Sequence, residues 1–217
     1  MAVRGTSMSE NTEISLLIKQ LKNSVSSKRR SAAKKLRKLK AVDAGPALLE
    51  ALQRELKDKR TWETQYQMIM ALGESGYAKS MDVLLELTEQ EFEATMVYIA
   101  IGDAITRLTY IQNGKISSII SFLDNKSKNP FVIEGLIRAI AMLKLIPSRE
   151  DIEQIIAYGN MEDVAENHRT WIASAAADWT SNSVVCFLNK CVTSDNQQTR
   201  RAAKCSLRKE YLEWSIL

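Results

Sequence analysis

The sequence is poor in the residues that punctuate chains. Its 217 residues hold eight glycines and three prolines. A β-rich fold of this length needs more turn residues, so the scarcity favours helices. No apolar run approaches the roughly 18 residues of a membrane span. The first residues, MAVRGTSMSENTE, lack the apolar centre of a secretory signal. Histidine occurs once, at His168, which excludes His-pair metal sites. It stands between Asn167 and Arg169 near a predicted helix start, where exposure is expected. The three cysteines, Cys186, Cys191 and Cys205, are odd in number and close together. That count argues against a disulfide framework and for a reducing cytoplasm. The spacing of Cys186 and Cys191 makes them diverge on a helix, so metal binding is not expected. No glycine-rich phosphate loop is present, because GKISS at 114–118 lacks the preceding spacing. No catalytic set, cofactor site or metal site emerges.

Charge is present but uneven. From Ile14 to Val42 there are ten lysines or arginines and no acid. Eight of the ten lie in SKRRSAAKKLRKLK, residues 27–40. From Asp43 onward, 19 basic residues face 24 acidic ones. A basic first segment thus precedes a mildly acidic body, which points to polarised partners.

The apolar pattern repeats. Ile14, Leu17, Ile18 and Leu21 follow helical spacing, and Ala32, Ala33, Leu36 and Leu39 make a narrow stripe on the next segment. Five further pairs follow, each a shorter helix before a longer one. The second members carry small residues near their centres, at Ala33, Ala71, Ala104, Ala139, Ala175 and Ala203. Five steps from 33 to 203 average 34 residues. Small residues at one depth let successive helices approach closely. Ser148 and Ser181 are expected helix N-caps. Residues 12–217 are expected to form a single repeat domain. Residues 1–11 are expected to be a disordered segment or an expression remnant, with Met8 a candidate native start.

The stretch TWETQYQMIMALGESG resembles the second helix of a short bacterial HEAT-like repeat, the kind ending A-L-G-x-x-G. RRSAAKKLRKL and RRAAKCSLRK look like degenerate siblings. TPR-like and armadillo-like pairing stay open, although the TPR tryptophan–glycine–tyrosine pattern is absent. The resemblance implies an all-α, right-handed α-solenoid of about six helix pairs over residues 12 to 212. It also implies a non-enzymatic binding scaffold working through its concave face. An adaptor, an assembly factor or a toxin-neutralising partner would fit. Another protein is the expected partner, with no membrane involved.

Candidate contact residues follow from helix faces. Arg30, Lys34, Arg37 and Lys38 lie opposite the apolar stripe of their helix. Reversing charge at Arg30, Lys34 and Arg37 is therefore expected to leave the helix intact. Arg200, Lys204 and Arg208 form a second basic row. Between the two rows, Glu63, Glu93, Glu134 and Glu166 mark the starts of second helices. Arg-Thr-Trp occurs twice, ending at Trp62 and Trp171, and Tyr66 follows Trp62 by one turn. Exposed Trp and Arg are favoured at binding hot spots. The alternative is nucleic-acid binding by Arg29, Arg30, Lys34, Arg37 and Lys38. Some HEAT-like proteins are DNA glycosylases, and Trp171, Asp178 and Trp179 offer a weak echo of their sites. The family's paired tryptophan–aspartate motif is not matched. Nothing argues specifically for the HEAT-like lyases and chaperones of bilin pigments.

Overall fold

A computed structural model describes residues 8–124 and 129–214. The described residues contain no strand. Among the described residues, twelve α-helices come in six pairs. The first-position helices are α1 (Met8–Gln20), α3 (Gly45–Glu55), α5 (Met81–Leu87), α7 (Ser117–Asp124), α9 (Arg149–Gly159) and α11 (Asn182–Val192). Their second-position partners are α2 (Ser26–Leu39), α4 (Trp62–Ser75), α6 (Thr95–Asn113), α8 (Pro130–Met142), α10 (Glu166–Ala175) and α12 (Gln197–Leu207). Residues 1–7, the greater part of the segment expected to be disordered, lie outside the described residues, and α1 begins at Met8.

The chain divides into two compact units, Met1–Leu108 and Thr109–Leu217. In the first, α2 packs on α4, and α3 backs α4. In the second, α8, α10 and α12 stack in turn, while α7, α9 and α11 stack beside them. Like packs on like, which is the organisation of an α-solenoid. The six small residues singled out in the sequence are all fully buried. Gly73 explains why small size matters. A Cβ built on it would stand 2.6 Å from the Ala104 Cα, so α4 and α6 meet at backbone distance. Gly76, at φ 76°, ends α4 in the left-handed region that glycine tolerates. ALGESG is thus one packing glycine followed by one capping glycine.

Caps form where the sequence places them. Ser148 Oγ accepts from the Asp151 N–H at 3.1 Å, and Ser181 Oγ from the Val184 N–H at 3.3 Å. Hydroxyls also join successive second helices: Ser26 with Thr64 at 2.8 Å, and the buried Thr170 with Thr199 at 2.7 Å.

A second repeating device is polar. The fourth residue of a second-position helix reaches back to the loop just before it. Arg29 donates to the Asn23 and Ser24 carbonyls at 2.7 and 2.8 Å. Gln65 donates to the Asp58 carbonyl at 3.0 Å. Tyr98 accepts from the Phe92 N–H at 2.7 Å. Arg169 donates to the Gly159 and Met161 carbonyls at 3.1 and 2.6 Å, and Arg200 to the Ser194 carbonyl at 2.6 Å. In α8 the position holds the buried Ile133. Loop carbonyls and amides near a helix start lie outside the helical ladder, and these side chains give them a partner.

Candidate binding surfaces

The basic stretch of residues 27–40 forms α2, and its charges split by residue type. Arg29 sits on the buried Glu55, with Nε 2.6 Å from Oε2 and Nη2 2.9 Å from Oε1. Burial pushes the Glu55 carboxyl up, but the bonds from Arg29 and Ser26 outweigh it and hold it below the ordinary range. Arg30 pairs with Glu63. Arg37 pairs with Glu74 at 2.7 Å and lies 5.9 Å over the Tyr66 ring. Each arginine of the stretch is therefore committed to α3 or α4. Lys28, Lys34, Lys35, Lys38 and Lys40 are exposed, and none pairs with an acid among the described residues.

Two expectations on this unit need correction. Arg37 is only 8% exposed rather than outward-facing. The helical wheel accounts for the apolar stripe of α2 but not for α4, which covers the flank of that stripe. Tyr66 does not extend the exposed surface of Trp62. It is 9% exposed under Arg37, whereas Trp62 is 37% exposed. Trp62 and the exposed Glu93 line one small cleft with Phe92 and Gln65.

In the second unit the structure brings Glu134 and Trp171 together. The Trp171 indole N–H donates to Glu134 Oε1 at 3.4 Å, and Glu134 is buried. The Arg138 guanidinium lies 5.8 Å over the Trp171 ring. Trp214 also packs on Trp171, with ring centroids 4.6 Å apart. Sequence reasoning missed Trp214 and Arg138. The available signal was Tyr-Leu-Glu-Trp, residues 211–214, an aromatic pair just past the last apolar period.

His168 is buried at 2% exposure, contrary to expectation. Its Nδ1 is 2.6 Å from the Tyr158 hydroxyl. Burial lowers its pKa below 6.5, opposed by the nearby Pro130 backbone. Burial also pushes the Tyr158 phenol up to about 12. The glycosylase echo loses its geometry. Trp179 is 1% exposed and donates to the Leu145 carbonyl, so it cannot stack on a base. Asp178 ends a 3₁₀ turn and accepts from the Tyr211 hydroxyl at 2.9 Å.

A groove of about 700 Å³ between the α9–α10 and α11–α12 loops contains Glu166, Arg169, Lys190 and Cys191. Its polar groups are mutually engaged: Arg169 grips loop carbonyls and Glu166, and Lys190 donates to Asn160. Burial raises the Cys191 thiol to about 12, which suits packing and not nucleophilic chemistry.

Residues 28–54, most of α2 and α3 with the turn between them, match the model of the PBS lyase HEAT-like repeat. This segment resembles a HEAT-like repeat. The matched HEAT-like segment includes Arg29 and Arg37, whose partners Glu55 and Glu74 lie just beyond it. No curated protein matches the chain. Among solved structures, a designed armadillo repeat protein is 18% identical, covering 90% of this chain and 99% of that one, at a TM-score of 0.44. Human deoxyhypusine hydroxylase in complex with glycerol is 12% identical, covering 90% and 83%, at 0.39. No helix among the described residues is long and apolar enough to cross a membrane. Stacked HEAT-like pairs are commonly binding surfaces for other proteins.

Proposed function

We propose that this protein is a non-enzymatic scaffold of the adaptor or assembly-factor kind, working in a reducing cytoplasm. It binds an acidic surface of another protein. In the first unit, the contact residues are Lys34 and Lys38 on α2, then Trp62 with Glu63 and Glu93 beside it. Arg30 holds Glu63, and Arg37 with Tyr66 holds the α2–α4 seam from beneath. In the second unit, Glu134 and Trp171 form a separate contact. The observation that carries the reading is the division of charge on α2. The guanidinium forks that suit phosphate are spent on Glu55, Glu63 and Glu74. What remains is an exposed row of lysines, a diffuse field that steers an acidic partner.

The test is affinity capture from nuclease-treated native extract, with the parent and with Lys34→Glu/Lys38→Glu/Trp62→Ala. A protein should be retained by the parent and lost by the variant. The nucleic-acid reading makes the opposite demand. Tight binding of generic duplex near physiological salt, falling steeply as salt rises and eliminated by the lysine changes, would replace the proposal.

A further inference from the structure

After α12 the chain leaves the helix, and residues 210–214 have no regular secondary structure. They nevertheless stay against α8 and α10 and the segments that directly follow those helices. Lys209 Nζ donates to the Trp179 carbonyl at 3.4 Å. Tyr211 donates its hydroxyl to Asp178 at 2.9 Å, and the Lys144 ammonium lies 4.8 Å over its ring. Trp214 lies on Trp171, which is bordered by Glu134 and Arg138. The two aromatic rings thus sit in two separate polar-edged slots, three residues apart.

The manner of attachment matters. Among the described residues no backbone hydrogen bond holds Tyr211–Trp214, so side chains alone retain it. The Trp214 indole N–H is buried and finds no acceptor among the described residues. A buried donor left unpaired weakens the contact it belongs to. The segment fits the surface well enough to occupy it and poorly enough to be replaced.

We infer that the α8–α10 surface of the second unit is a receptor for an extended peptide bearing two aromatic residues three positions apart. Tyr211–Trp214 is its tethered self-ligand, which a partner displaces. The first slot, with Asp178 and Lys144, selects a hydroxyl-bearing ring. The second, with Trp171, Arg138 and Glu134, selects a flat ring and tolerates phenylalanine, since the indole N–H is unused. The inference rests on the scaffold reading only in taking the displacing partner to be a protein. A tethered segment acts at an effective concentration on the order of millimolar, so it masks the surface from weak peptides.

The experiment uses the full chain. A labelled peptide of residues 208–214 is titrated onto the parent and onto Tyr211→Ala/Trp214→Ala, with fluorescence anisotropy as the readout. Binding to the variant should be at least about tenfold tighter than to the parent, as removal of a tethered competitor requires. A peptide with both aromatics replaced by alanine should not bind, and adding Trp171→Ala should abolish binding. Equal binding to parent and variant, or none to either, overturns the inference. A second measurement leaves the segment unaltered. Trypsin should cut after Arg208 and Lys209 several-fold faster in Trp171→Ala than in the parent, and unchanged cutting overturns the inference. A parent that sediments as a dimer while the double variant is a monomer assigns the segment to a second copy and also overturns it. Protein capture that persists without peptide binding counts against this inference alone. Peptide binding without protein capture supports it and counts against the scaffold reading.

Discussion

His168 is the only histidine, so its titration can be isolated. Buried against Tyr158 and Pro130, it is held neutral, with its pKa below the ordinary 6.5. Protons therefore bind the unfolded chain first as pH falls below 6.5. Its contribution is intact above that value and is lost as pH drops towards the folded pKa. We expect the urea midpoint to decline over this window in the parent and to flatten in His168→Gln, beyond any carboxylate contribution common to both. An imidazole NMR titration midpoint at or above 6.5 would contradict the burial argument. Gly73 offers a steric counterpart. Its missing Cβ would meet the Ala104 backbone, which is not a flexible side-chain end that could swing away. Gly73→Ala should destabilise by about 1–3 kcal/mol, the usual penalty of overpacking. An unchanged urea midpoint would mean that α4 and α6 separate easily.

At the scale of one helix, α2 shows what a helical wheel conveys and what it omits. The wheel locates Ala32, Ala33 and Leu36 in the core, as observed. It misplaces Arg37, because Glu74 and Tyr66 arrive from α4 across 37 and 29 residues of sequence. The two kinds of cation should therefore respond differently. Arg37→Glu sets a carboxylate against Glu74 in a mostly buried place. It should lose about 3 kcal/mol, the low end for a broken buried pair, since Glu74 keeps some solvent. Lys34→Glu/Lys38→Glu should change stability by no more than about 0.5 kcal/mol per site. Thermal unfolding of the two variants checks both, and equal losses would refute the division of charge. The same blindness to neighbours hid His168, whose cover comes from α8 and α9, and Trp214, which lies beyond the last apolar period. The helix pairs themselves were legible because their signals are local: apolar spacing, small residues at mid-helix, and Ser148 and Ser181 at helix starts.

For the molecule as a whole, the two compact units each hold a core of their own. In stacked repeats stability is close to a sum of repeat and nearest-neighbour terms. Gly73→Ala should therefore raise amide hydrogen exchange most in α2–α6 and least in α10–α12. Uniform acceleration along the chain would instead show that all the repeats open as one body, as the expected single repeat domain would if fully cooperative. The loop grips and cross-helix pairs have a further consequence, for the order in which the chain is made. Arg29 meets Glu55, Ser26 meets Thr64 and Arg37 meets Glu74, partners 26 to 38 positions downstream. A nascent chain needs to extend only that far beyond the ribosomal exit before a repeat acquires its neighbour. Contacts this local close small loops and form early, so each finished pair becomes the template for the pair still being translated.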